Sequence, residues 1–140
     1  MTRVDFYQIE SDEPTLDFTC RLIETIYRQG LKVYVHAESQ QQAQQLDDLL
    51  WTFRADRFIP HSLHGESDRA PILIGFDKDP DCHKEVLVNL CGAVPNFFSQ
   101  FDRVTEVLPK DKVKREATRN NYKFYQERGY PLRYHNIQSN

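Results

Sequence analysis

RVDFYQIESDEPTLDFTCRLIETIYRQGLKVYVHAES, residues 3–39, is the stretch on which the fold turns. Arg3–Ile9 sets Val4 and Phe6 against Asp5 and Tyr7, an alternation that predicts a strand. Ser11, Asp12 and Pro14 follow with turn and helix-start chemistry. From Pro14 to Gln29 the apolar positions Leu16, Cys20, Ile23 and Tyr27 recur at helical spacing, and Gly30 stands where a left-handed C-terminal cap is wanted. Leu31–Ala37 is again β-rich. A strand, a helix and a second strand in so short a span imply parallel neighbours, because parallel strands need a crossover connection.

Outward from there the same alternation continues. Ser39 offers an N-cap to a helix whose core stripe is Ala43, Leu46 and Leu50. Short strands are predicted over Pro71–Phe76, Glu85–Leu90 and Arg103–Leu108, the last preceded by a helical turn around Asn96–Phe101. After Pro109 a helix is predicted from Lys110 to Glu127, closed by Gly129, and the tail from Tyr130 to Asn140 has no clear period and reads as extended or partly disordered. The expected fold is α/β, a single three-layer α/β/α domain over residues 1–140 with a mainly parallel central sheet, Rossmann-like but without a nucleotide site.

The 140 residues suit one domain, and 39% hydrophobic against 28% charged residues is a globular composition. No apolar run reaches the roughly 18 residues of a membrane span, and MTRVDFYQIE lacks the apolar block of a signal peptide, so a cytoplasmic protein is expected. Cys20, Cys82 and Cys91 fit neither a disulfide framework nor a four-cysteine zinc site and are read as reduced thiols. The net charge is −3, yet Lys110–Arg133 carries eight Lys or Arg against three Asp or Glu, which leaves −8 on the remainder. That asymmetry points to an anionic partner for the late helix, and the acidic remainder argues against a general nucleic-acid coat.

Catalytic machinery is hard to find. The residues after the first strand, Glu10–Pro14, include no glycine to let backbone approach a phosphate. His61 and His64 with Glu66 form a weak metal motif, since helical zinc pairs sit four apart and this segment reads as a loop after Pro60. Cys82 and His83 beside Asp77, Asp79 and Asp81 lack the glycine and distal glutamate of a calcium loop. No cofactor and no metal are expected. The alternatives kept open are a nucleotide-binding or metal-dependent enzyme on this fold, and a direct single-stranded DNA binder using Arg115, Arg119, Lys123 and the aromatic residues.

Two constellations fit a partner. In LPKDKVKREATRNNYKFY, residues 108–125, Arg115, Arg119 and Tyr122 share one helix face, extended by Lys112, while Val113, Ala117 and Phe124 form a stripe expected to pack on the sheet. Such a face is either a solvated row of charges or a site that pairs a carboxylate while holding an apolar side chain. In LLWTFRADRFIPHSLHGE, residues 49–66, the large residues Trp51, Phe53, Phe58, Ile59, Pro60 and His61 either form a satellite core or an exposed patch, with Trp51 assigned to the core.

Taken in order, VDFYQIE, LDDLLWTF, RFIPHSLHGE, PILIGF, EVLVNL and YKFYQERGY resemble the chi subunit of the bacterial DNA polymerase III holoenzyme over nearly the whole chain. The resemblance implies a non-catalytic clamp-loader accessory of the replisome. It implies two partners, the psi subunit and the acidic C-terminal tail of single-stranded DNA-binding protein, with nucleic acid met mostly indirectly and no membrane contact. Matched onto this sequence, it places tail binding on Arg115 and Arg119, with Tyr122 and Leu108 walling an apolar pocket. It places the psi contact on the loop with Phe58, Pro60 and His61, a loop also implicated in meeting a helicase. The stretches His64–Asp68 and Asp77–Asp81 receive no role.

Overall fold

The computed structural model describes residues 2–9, 12–53, 58–65, 69–76, 80 and 83–137. In chain order the elements are β1 (Arg3–Ile9), α1 (Thr15–Arg28), β2 (Val33–Ala37), α2 (Gln40–Thr52), β3 (His61–Leu63), β4 (Ile72–Phe76), β5 (Val86–Asn89), β6 (Arg103–Leu108), α3 (Lys112–Glu127) and β7 (Leu132–Ile137), with a 3-10 turn over Phe98–Gln100 before β6. Among the described residues seven strands form one sheet in the order β3-β4-β2-β5-β6-β1-β7, and every pair is parallel. The three-layer expectation holds: α1 and α2 share an apolar core with Ile9, Val33, Val35, Ile72, Ile74 and Val88 on one face. On the other face α3 and the 3-10 turn pack with Val4, Phe6, Tyr34, Leu73, Leu87 and Val104.

Local chemistry explains the boundaries. Ser39 Oγ accepts from the Gln42 backbone N–H at 3.0 Å and caps α2, and Asp111 Oδ2 accepts from Lys114 N–H at 3.0 Å and caps α3. Each cap is worth about 1 kcal/mol. Gly30 and Gly129 end α1 and α3 at φ 82° and 77°, in the left-handed region that a side chain disfavours. At Gly75 on β4 the requirement is space: a Cβ there would lie 1.8 Å from the hydroxyl oxygen of buried Tyr34.

The fold departs from the sequence reading in four places, two in the sheet and two on the helices. His61–Leu63 is a strand rather than a loop; three residues are too few to show a period. Residues 132–137 of the supposed tail form β7, paired in parallel with β1. The face that α3 buries is Thr118, Asn121 and Tyr125, one position round from the expected Ala117 and Phe124, and Val113 stands 78% exposed. Trp51, assigned to the core, is 58% exposed, because α2 buries Ala43, Leu46 and Leu50 and the next residue is rotated by about 100°.

Cys20 is buried in α1, where desolvation, and then the charge of Asp17, push its thiol up to about 12. It is chemically quiet at neutral pH. Cys91 is half-buried after β5, and Cys82 lies outside the described residues. None of the helices in the described residues is long and apolar enough to cross a membrane.

Candidate peptide-binding site

The polar stripe of α3 has a cause beneath it. Glu106, in the middle of β6 and fully buried, accepts from Asn89 Nδ2 at 2.9 Å, Asn121 Nδ2 at 3.3 Å and the Tyr125 hydroxyl at 2.8 Å. Burial outweighs these donors and raises its carboxyl to about 7. The network ties α3 to β5 and β6 at a defined rotation, and that rotation turns Arg119, Lys123 and Gln126 away from the sheet.

Beside this anchor, Phe6, Leu108, Arg119, Tyr122, Lys123, Gln126 and Tyr134 enclose a hollow of about 380 Å³ between α3 and the β1–β7 edge. Its floor is apolar, with Phe6 and Leu108 both buried. Tyr122 stands edge-on to Phe6 at 5.1 Å and to Tyr134 at 6.4 Å, and the Tyr134 hydroxyl donates to Gln8 Oε1. Arg119 and Lys123 are exposed at the rim, and neither side chain has a hydrogen-bond or ion-pair partner among the described residues. An apolar well with two uncommitted cations at its mouth suits a ligand that joins an apolar side chain to a carboxylate.

Of the four residues that the sequence assigned to a tail site, Leu108, Arg119 and Tyr122 line this hollow. Arg115 does not. Its Nε donates to Pro109 O at 2.7 Å and one terminal nitrogen to Ile9 O at 3.2 Å, holding the loop that ends β6. Arg115 and Arg119 instead line one shallow groove together with Lys112 and Val113. The sequence did not point to Phe6, Gln126 or Tyr134 here, and it offered Lys123 only for direct binding of single-stranded DNA. The alternation of Leu132 and Tyr134 with Arg133 and His135 was the available signal for Tyr134.

The second constellation is an exposed patch with a buried support. Trp51 and Phe58, 58% and 54% exposed, approach at 5.0 Å between ring centroids. The buried His61 ring lies 5.0 Å from Trp51 and 5.8 Å from Phe58. His61 Nδ1 is 2.7 Å from Ile59 O and Nε2 is 3.2 Å from Asp47 O, so both ring nitrogens are engaged within the fold. Glu66, the third member of the metal motif, lies outside the described residues, as do Asp77, Asp79, Asp81 and Cys82. Among the described residues no cluster of three or more His, Cys, Asp or Glu gathers. Beyond the carboxyl ends of the strands, where this architecture usually binds ligands, lies a crevice of about 460 Å³ lined by Ser39, Gln42, Asn89, Lys114 and Thr118, in which Gly92 is the single glycine.

Comparison with known proteins decides the family. Residues 1–133 match the family model described as DNA polymerase III chi subunit, HolC. The chain belongs to the DNA polymerase III chi subunit family. It is 43% identical over 139 residues to the DNA polymerase III subunit chi of Pseudomonas aeruginosa, covering 98% of both chains. It is 31% identical over 124 residues to that of Haemophilus influenzae, covering 86% of each. It is 29% identical over 142 residues to that of Escherichia coli, covering 94% of this chain and 96% of the relative. Among solved structures it resembles the Mss116p DEAD-box helicase domain 2 bound to an RNA duplex, with a TM-score of 0.64 at 9% identity. That likeness covers 97% of this chain and spans 65% of the helicase chain, and it speaks for the fold alone. Family membership makes the chain an accessory subunit of a replicative DNA polymerase.

Proposed function

We propose that this chi-family chain is a non-catalytic bridge in the clamp-loader complex, binding the acidic C-terminal tail of single-stranded DNA-binding protein on α3 and the psi subunit at the Trp51–Phe58 patch. The observation that carries the first contact is the hollow in which apolar Phe6 and Leu108 lie below the uncommitted cations Arg119 and Lys123. The last side chain of the tail enters the hollow between Tyr122 and Tyr134, and Arg119 takes its carboxylate. The acidic residues upstream lie along the groove of Lys112 and Arg115. Arg115 thus contributes charge from the groove while its bonds to Ile9 O and Pro109 O keep Leu108 in place.

A charge-assisted hydrogen bond contributes about 1.5–3 kcal/mol. Arg119→Ala is therefore expected to weaken binding of a tail peptide roughly ten- to a hundredfold, with wild-type affinity falling as salt rises. Isothermal titration at two ionic strengths measures both, and an unchanged dissociation constant for Arg119→Ala would rule the assignment out.

The psi contact rests on two large aromatic residues held in solvent over His61, with Pro60 leading into β3. Aromatic anchors of this kind dominate interface energies. Phe58→Ala is expected to reduce psi capture at least about tenfold in co-purification while leaving tail-peptide affinity intact. A helicase using the same patch would compete with psi, and simultaneous binding of both would place one of them elsewhere.

A further inference from the structure

Arg3 and Arg103 are register partners on the adjacent strands β1 and β6, so their side chains project from the same face, that of α1. One row along, Arg133 of the edge strand β7 stands beside Asp5 on that face. Like charges set directly across a strand pair repel, and Asp5 relieves them on the Arg3 side alone. Asp5, 3% exposed, lies 3.4 Å from Arg3 Nε and equally 3.4 Å from His135 Nε2. The guanidiniums of Arg103 and Arg133 have no ion-pair or hydrogen-bond partner among the described residues, and Arg103 Nε is buried without one. In the next row Tyr7 and His135 stack at 4.5 Å and 13°. Helix α1 packs mainly on β2 and α2 and reaches this strip at its Tyr7 end, where the Phe18 ring lies 6.3 Å from Tyr7.

We infer that this strip is a second binding surface, independent of α3, which holds the phosphate backbone of single-stranded nucleic acid. The two unpartnered forks of Arg103 and Arg133, with Arg3 beside them on Asp5, match phosphate oxygens. The adjacent Tyr7–His135 stack gives a base an aromatic edge to rest against, the usual companion of basic residues in sequence-tolerant single-strand binding. An acidic peptide would use the charges but has no need of the rings.

The test is anisotropy of a fluorescein-labelled oligothymidylate titrated with the full chain across a salt series. Wild-type affinity is expected to fall with salt. The Arg103→Gln/Arg133→Gln variant is expected to bind at least about tenfold more weakly and to lose about 1.4 from the salt slope, at roughly 0.7 per phosphate contact on a single strand. Arg119→Ala is expected to bind as wild type does. The melting temperature of Arg103→Gln should be equal or higher, since a repulsion is removed. Absence of salt-dependent binding, loss in Arg119→Ala in place of the sheet variant, or a lowered melting temperature for Arg103→Gln each overturns the inference. Polyglutamate of matched charge binding more tightly than the oligonucleotide overturns it in favour of an acidic protein segment.

Discussion

Gly75→Ala is expected to lower the stability of the chain by about 3 kcal/mol or more, equivalent to a fall of roughly 10 °C in melting temperature at this size. The added methyl would meet the Tyr34 hydroxyl oxygen at 1.8 Å and Cζ at 2.6 Å. Tyr34 has little room to retreat. It is fully buried on β2, one of the central strands, with His64, Phe97 and Phe101 at ring distances of 5.5, 6.1 and 6.4 Å. The strands β2 and β4 must then shift or the Tyr34 ring must leave its rotamer. A double variant, Tyr34→Leu with Gly75→Ala, should be more stable than the sum of the single losses allows, because the clash is shared. Thermal melts of the four proteins measure this coupling, and strict additivity would mean that the glycine is required for another reason.

The second large effect depends on pH and belongs to Glu106. Its folded carboxyl titrates near 7, above an ordinary 4.5, because burial outweighs the three donors around it. Between those values the folded chain holds a proton that the unfolded chain has released, so this group's contribution to stability is full below about 4.5 and is lost as pH rises to about 7. The loss is on the order of 3 kcal/mol, at about 1.4 per unit. In Glu106→Gln the amide oxygen can still accept from Asn89 and Tyr125, and the Asn121 amide can turn to receive the new N–H. That variant should match wild type near pH 5 and exceed it near pH 8, by up to the same few kcal/mol. Glu106→Leu should be weaker than Gln at both, with three buried donors left unpaired at about 1–3 kcal/mol each. Urea unfolding at the two pH values separates these outcomes, and parallel pH profiles for wild type and Gln would remove Glu106 as the source.

The elements were legible wherever a face is apolar and long enough to show its period. Val4 and Phe6 in β1, the Cys20–Ile23 stripe of α1 and the Ser39 cap of α2 all stand where the pattern puts them. The failures share a physical origin. β7 carries arginine and histidine on the face turned from α3, so its alternation of Leu132 and Tyr134 is weak as a hydrophobic signal. α3 buries Thr118 and Asn121 because a carboxylate lies under them, and an apolar search therefore settles on the neighbouring residues. At the site, helical spacing brought Arg119 to Tyr122, but Phe6 and Tyr134 come from strands whose adjacency only the sheet order reveals. Arg115 shows the reverse limit, since spacing cannot tell that its nitrogens are occupied by Pro109 and Ile9 carbonyls.

The place of β1 between β6 and β7 has a consequence for the order in which the molecule is made. β1 precedes both of its neighbours, β6 and β7, by a long stretch of chain, so Phe6 waits for all of it before Leu108, Tyr122 and Tyr134 can surround it. Contacts of such long sequence separation form late and slowly. A nascent chain still lacking residues 132–137 would expose one flank of β1 and have no outer wall for the hollow. The hollow beside α3 is thus complete only once residues 132–137 have been made and have paired with β1.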